Sequence, residues 1–198
     1  SSAGAAPAVK FIPFSSIQSS RPEDLWRWLD QTSRDTGAQF VAIPHNSNMS
    51  NDTKFDIVDS DGKPLTADYA RDRARWEVVM EITQTKGTSE TAPSLSPNDE
   101  FAAFEVRNKL LTGPASKETA AGFARTALLQ GLQLEARTGV NPYRFGVVGS
   151  TDSHNSLSST EEYNYQGKLG SQAITEQRPK DRSNFSIWEL SASGLAGV

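Results

Sequence analysis

The amino-acid sequence predicts an α/β fold with mostly parallel strands. Helical stretches alternate with short apolar runs, the order of elements in parallel α/β proteins. Two of the runs, Phe40-Val41-Ala42-Ile43 and Phe145-Gly146-Val147-Val148, open into polar loops that each carry one of the chain's 2 histidines. Loops at the carboxyl ends of strands are where such folds gather their chemistry. The length, 198 residues, suffices for one domain with a sizeable core, so residues 1–198 read as a single domain.

A helix signal opens at Ser20. Pro22 suits a first turn and Glu23 stands at capping-box spacing. Leu25, Trp28, Leu29 and Thr32 keep helical spacing, and Gly37 is a natural stop. Residues 39–43 read as a buried strand. Asn46 through Gly62 form a long polar connection, and connections of that length inside a domain are often functional. Thr66 is placed to cap a second helix reaching Trp76. Residues 78–82 read as a strand with Glu81 near its end. Ser96-Pro97 opens a helix carrying Phe101, Phe104 and Val106. Ser116 precedes a stronger helix that runs to about Arg137 and stops at Gly139. Residues 144–148 read as the next strand. Residues 156–183 are polar and irregular, with a candidate lid at Glu161-Glu162-Tyr163-Asn164-Tyr165, and 185–190 read as the last strand. So few strands make a thin sheet with exposed edges. The chain is therefore expected to be a piece of something longer.

Composition narrows the function. The net charge of −4 and pI near 5.3 argue against a general polyanion binder. Aromatic residues are not interleaved with a basic patch, so no nucleic-acid partner is expected. No run has the apolar length of a membrane span, and residues 1–7 lack the pattern of a signal peptide. With no cysteine, disulfides and thiolate chemistry are excluded, and any zinc must use nitrogen and oxygen ligands. The compartment stays unassigned; one outside the cytoplasm is compatible with this composition.

Asp152-Ser153-His154 sets two metal-ligating groups at i and i+2, on one side of an extended segment. A neutral imidazole is the commonest metal ligand, and a carboxylate offsets the cation's charge. Each piece alone has a plainer reading, His45 as a hydrogen-bonded loop histidine and Asp152-Ser153 as turn residues. The equivalent placement of both histidines, each just past a strand, favours a metal site. Glu81 reads equally as a ligand or acid/base group and as a strand-end carboxylate facing water. Lys86, in Gln84-Thr85-Lys86-Gly87, reads as a holder of an anionic substrate or of developing charge, or as a solvated cation paired with Glu90. Asn46 and Asn48 read as amides that orient water or a phosphate oxygen, or as loop amides bonded to their own backbone. Gly149-Ser150 lacks the nucleophile-elbow pattern, and Gly167-Lys168 lacks the glycine a phosphate loop needs. Sequons at Asn48, Asn51 and Asn184 are too short to carry weight.

The stretches PFSSIQSSRPEDLWRWLD, FVAIPHNSNMSN, VDSDGKPL, RARWEVVMEITQTKGTSE, SPNDEF, GVNPYRFGVVGSTDSH and WELSASGLAGV cover nearly the whole chain in order. They resemble the domain-of-unknown-function family 3604, which is related to the PHP (polymerase and histidinol phosphatase) superfamily. That resemblance implies a distorted (β/α)7 barrel that binds two or three divalent metals at the carboxyl ends of its strands, in a superfamily whose known members mostly hydrolyse phosphate esters. By resemblance, His45 matches the superfamily's late histidine ligand, and Asp152 and His154 match its closing Asp-x-His pair. Glu81 has no firm counterpart. The opening His-x-His motif and the ligands after it are expected before residue 1, and a completing segment after Val198. The chain is thus expected to be the back portion of a PHP-like barrel, with the missing N-terminal part of that barrel as its partner.

The resulting expectation is a metal-dependent hydrolase, of phosphoesters first, whose di- or trinuclear site of zinc, manganese or iron generates hydroxide. Asp152, His154 and Glu81 are the candidate catalytic residues. His45, Asp152 and His154 are the candidate metal ligands. Asn46, Asn48 and Lys86 are the candidate contacts to a small-molecule or polymer-bound anionic substrate. The fragment alone is expected to be inactive. Two alternatives stand beside this reading: a non-catalytic ligand-binding module on the same scaffold, and a metal-dependent amide or ester hydrolase.

Overall fold

A computed structural model describes residues 12–107 and 119–154. The predicted helix start at Ser116, the candidate lid and the strand at 185–190 lie outside the described residues. Those described are mixed α/β, with a small open sheet of three strands in the order β2-β1-β3. These are β1 (Val79–Gln84), β2 (Gly87–Thr88) and β3 (Gly146–Gly149). Three α-helices accompany them: α1 (Pro22–Thr36), α2 (Ala67–Trp76) and α3 (Ala124–Thr138). The described residues divide into two compact units, one of residues 12–43, 56–79 and 128–145, the other of 44–55, 80–107, 119–127 and 146–154.

In the first unit, α1 begins one residue later than Ser20 predicts. Arg21 is the N-cap residue and makes no side-chain cap. Ser19 holds the entry instead, its hydroxyl accepting from Arg21 N–H at 3.1 Å and donating to Asp24 at 2.6 Å. Glu23 is turned away from the cap and accepts from the Ser60 hydroxyl at 2.6 Å. Gly37 ends the helix at φ 72°, its N–H bonded to the Ser33 carbonyl at 2.9 Å, the left-handed stop that glycine takes without a Cβ clash. Helix α2 starts where expected, with the Thr66 hydroxyl accepting from Tyr69 N–H at 3.2 Å.

Trp26 and Leu29 of α1 and Trp76 of α2 form a buried cluster, joined by Leu25, Trp28, Phe40, Ala42 and Tyr69. Burying each large side chain contributes roughly 1.5–3 kcal/mol. Residues 39–43 do not join the sheet. They run beside the end of α2, with Ala42 N–H on the Trp76 carbonyl at 2.9 Å. Pro44, which has no N–H to offer a ladder, closes that segment.

A charge lies inside this apolar cluster. Arg73, only 4% exposed, pairs with Glu77 at 2.9 Å. Glu77 also accepts from the Trp26 indole at 3.1 Å. The guanidinium lies 4.8 Å from the Tyr143 ring centroid and 5.8 Å from that of Trp26. Tyr143 donates to the Asp56 carbonyl. Burial pushes the Tyr143 hydroxyl well above its ordinary value and raises that of Tyr69 to about 12, so both stay neutral.

In the second unit, β1 and β2 form a tight antiparallel hairpin, Gln84 opposite Gly87 and Thr83 opposite Thr88. Helix–strand alternation predicts parallel pairing, but a connection of just Thr85 and Lys86 is far too short for a crossover. The helix predicted from Ser96-Pro97 is a run of turns, with Asp99 N–H on Ser96 O at 3.1 Å and Ala102 N–H on Asp99 O at 3.1 Å. The Asp99 carboxylate captures Phe101 N–H at 2.9 Å, an alternative to helix that short polar side chains offer. Phe101 and Phe104 are exposed in consequence, at 71% and 68%. Helix α3, whose residues from Leu128 on belong to the first unit, ends at Gly139, φ 79°, as the sequence predicts, with its N–H on the Glu135 carbonyl at 2.7 Å.

Replacing Arg73 by Met is expected to strand the buried Glu77 carboxylate and to cost about 3–5 kcal/mol. Urea unfolding at neutral pH measures the loss.

Candidate functional site

Strand β1 sets out the site. Its side chains alternate, so Met80, Ile82 and Gln84 share one face and Glu81 and Thr83 the other. The His45 loop is tied to β1 because Pro44 carbonyl accepts from Glu81 N–H at 2.9 Å. On the other flank lies β3, where a side chain at Gly149 would come within 2.9 Å of Thr83 Cγ2. That close approach brings Ser150 to His154 off the end of β3.

Four of the expected residues, His45, Glu81, Lys86 and Asp152, interact with one another. Lys86 Nζ donates to Asp152 Oδ2 at 2.6 Å, and both side chains are mostly buried, at 24% and 22% exposure. Glu81 is half-buried, and its carboxyl pKa is raised. Loss of solvent is the main cause and the Asp152 carboxylate the second, against lowering by His45, Lys86 and the Asn46 N–H. His154 is exposed, with Nδ1 2.7 Å from the Asp152 backbone carbonyl. A carbonyl only accepts, so Nδ1 carries the hydrogen, and in the neutral ring the lone pair is then on Nε2. Asp152 and Asn46 both take left-handed backbone, each at φ 52°, a conformation that Asp and Asn tolerate better than other side chains.

Lys86 is not paired with Glu90. Glu90 meets Arg125 at 2.7 Å, and Arg125 also holds Asp99 at 2.6 Å. Asn48 is buried at 3% exposure. Its amide donates to the Lys86 carbonyl at 3.0 Å and the Arg107 carbonyl at 2.9 Å, and accepts from the Ser89 hydroxyl at 2.9 Å. Two of these partners are backbone carbonyls and one a side-chain hydroxyl, all far along the chain rather than its own backbone. The amide anchors the turn that carries Lys86.

The residue that sequence reasoning missed is Gln84. Buried at 4% exposure, it donates to the Asn46 side chain and accepts from Lys86 Nζ at 3.2 Å and from the Thr85 hydroxyl at 3.2 Å. It thereby bridges the His45 loop and the lysine. A signal was present: Gln84 keeps the inward phase of Met80 and Ile82, and a polar side chain at a core-facing position needs a partner. Among the described residues, no group of three or more His, Asp or Glu side chains is close enough to hold a metal ion. No helix of the described residues is long and apolar enough to cross a membrane.

The chain belongs to the DUF3604 family of proteins of unknown function, which it matches over residues 1–198. No curated protein and no solved structure matches it significantly.

Two outcomes test this geometry. Glu81 has a raised carboxyl pKa, so its ionisation opposes folding: stability is fully present below the ordinary value of 4.5 and is lost as pH rises through the folded-state value. Glu81→Gln is therefore expected to raise the thermal midpoint at pH 7, with the gain vanishing below pH 4.5, in paired thermal melts. Gly87 sits at φ 93°, where an added Cβ would come within 2.7 Å of Arg107 Cβ and 2.8 Å of the Glu105 carbonyl. Gly87→Ala is expected to cost at least about 1–3 kcal/mol from backbone strain alone, read by denaturant unfolding.

Proposed function

We propose that this chain carries part of the site of a metal-dependent hydrolase that acts on phosphoesters, on a PHP-like barrel. The observation that supports the reading most is the arrangement at the end of β3. Asp152 points a carboxylate at the Lys86 ammonium, and His154 directs Nδ1–H to a carbonyl, the neutral tautomer whose Nε2 lone pair can ligate a metal. Metal-binding histidines are habitually oriented through the other ring nitrogen in this way.

The donor set suits zinc, manganese or iron in its chemistry. Asp152 and Glu81 offer oxygen, and His45 and His154 offer nitrogen. The Asp152 carboxylate is one cause of the raised Glu81 pKa, and the Lys86 ammonium stands against Asp152. The described residues supply part of a coordination set, so the proposal requires further ligands from outside them.

When bound, a divalent ion supplies Lewis acidity toward a phosphoryl oxygen. Asp152, His154 and His45 are the residues proposed to contribute ligands, with the rest of the set required from outside the described residues, which by themselves gather no group of three such side chains. Glu81 has its carboxyl pKa raised, by loss of solvent first and the Asp152 carboxylate second. It is placed to take a proton from an attacking water and return it to the leaving oxygen. Lys86 orients the anionic phosphoryl group, and Asn46 directs its N–H to the Glu81 carboxylate. The Lys86–Asp152 pair favours a second reading, binding without catalysis, because an internal counterion satisfies Asp152 with no metal.

Calorimetric titration with Mn²⁺, with assays on p-nitrophenyl phosphate and bis(p-nitrophenyl) phosphate, separates these readings on the full-length protein. Asp152→Ala with His154→Ala is expected to reduce metal-dependent turnover by at least about 100-fold, since even the outer partners of metal ligands are worth 10–100-fold. Activity that survives the double substitution removes the assignment. Anion binding with neither Mn²⁺ uptake nor turnover selects the second reading.

A further inference from the structure

We infer that Lys86, acting through Gln84, fixes which way the Asn46 side-chain amide faces, and that this commits Asn46 Nδ2 as the donor to an oxygen of an anionic ligand. The inference rests on the reading of Lys86 and Asn46 as contacts to an anionic substrate and requires no metal. An ammonium has donors only. The Gln84 atom 3.2 Å from Lys86 Nζ is therefore the amide oxygen, Oε1. The Thr85 hydroxyl donates to the same oxygen, also at 3.2 Å. The other end of that amide, Nε2, is then directed at Asn46. An amide nitrogen donates, so the Asn46 atom that meets it is Oδ1, and Asn46 Nδ2 faces away from Gln84.

Neither amide is free to turn over. A flipped Gln84 sets donors against the ammonium, and a flipped Asn46 sets two NH2 groups against each other. Gln84 is 4% exposed, so water does not relieve either clash. The origin of the chain is held as well. Lys86 Nζ meets Asp152 at 2.6 Å, and the Lys86 carbonyl accepts from Asn48 at 3.0 Å. At the far end, Asn46 N–H reaches the Glu81 carboxylate, and the Asn46 carbonyl accepts from Met49 N–H at 3.0 Å. Asn46 is only half-buried, and among the described residues its Nδ2 has no acceptor. The NH2 group is thus left for a ligand, and so is the third donor of the Lys86 ammonium. A ligand that meets both presents oxygen lone pairs, as a phosphoryl group or inorganic phosphate does, and an N–H is refused. Gln84 is the positioning residue: it touches no ligand and decides which atom of Asn46 does.

A double-mutant cycle tests the relay, with inorganic phosphate binding to the full-length protein read by calorimetry. Asn46→Ala is expected to weaken phosphate about tenfold or more, the worth of one hydrogen bond to a charged group. Gln84→Glu keeps the shape but offers Asn46 an acceptor, so the Asn46 amide turns over and presents its oxygen to the ligand. It also adds a charge, and the Asn46→Ala background measures that effect alone. Gln84→Glu is therefore expected to weaken phosphate several-fold more when Asn46 is present than in the Asn46→Ala background. Equal losses in the two backgrounds overturn the relay and leave the anion contact standing. Unchanged affinity in Asn46→Ala overturns the donor assignment. No phosphate uptake by the wild-type protein overturns the inference together with the anion reading. Should Gln84→Glu not fold, Gln84→Met frees the Asn46 amide to turn. Its loss is likewise expected only where Asn46 is present, and a loss of the same size in the Asn46→Ala background overturns the relay.

Discussion

Strand β1 is the constraint from which the candidate site hangs. It accepts the His45 loop through the Pro44 carbonyl on Glu81 N–H, lies against β3 where Gly149 meets Thr83, and turns back at Thr85-Lys86 to aim the lysine. Each connection is made by backbone or by the absence of a side chain. Such connections tolerate little variation, because a lost backbone hydrogen bond or an added Cβ has no soft coordinate to relax along. The chemistry-bearing side chains are thus fixed at their roots and adjustable at their tips.

Charge placement makes the site unlike an ordinary surface cluster. Arg125 with Glu90 is such a contact: a well-formed distance, but both side chains open to water, where ion pairs contribute little. The Lys86–Asp152 pair is half as exposed and stands beside a carboxyl whose pKa is raised by loss of solvent. The pairing also poses an electrostatic question that the surface cluster does not, since any cation arriving at Asp152 must contend with an ammonium already there.

The first unit solves the opposite problem. Arg73 and Glu77 are buried so thoroughly that neither is placed to act on anything outside. Their partners, the Trp26 indole and the Tyr143 ring, satisfy them from within. The arrangement fixes how α1, α2 and the segment at Tyr143 meet, a specifying role that buried polar groups take where apolar contacts alone leave the register loose.

Much was legible in the sequence because it depends on neighbours along the chain. Thr66, Gly37 and Gly139 marked helix ends through local backbone preference, and residues 78–82 and 144–148 marked strands through apolar runs with β-branched side chains. The family was legible too, from ordered stretches across all 198 residues. His45, Glu81, Lys86 and Asp152 were each picked out by chemistry at a strand end. Tertiary structure decided the rest: that Lys86 pairs with Asp152 rather than Glu90, that Asn48 anchors a turn, that Gln84 bridges two loops, and that β1 and β2 are antiparallel. Local preference acts over a few residues, whereas the partners in those contacts lie up to 66 positions apart. Only the folded backbone brings them within reach.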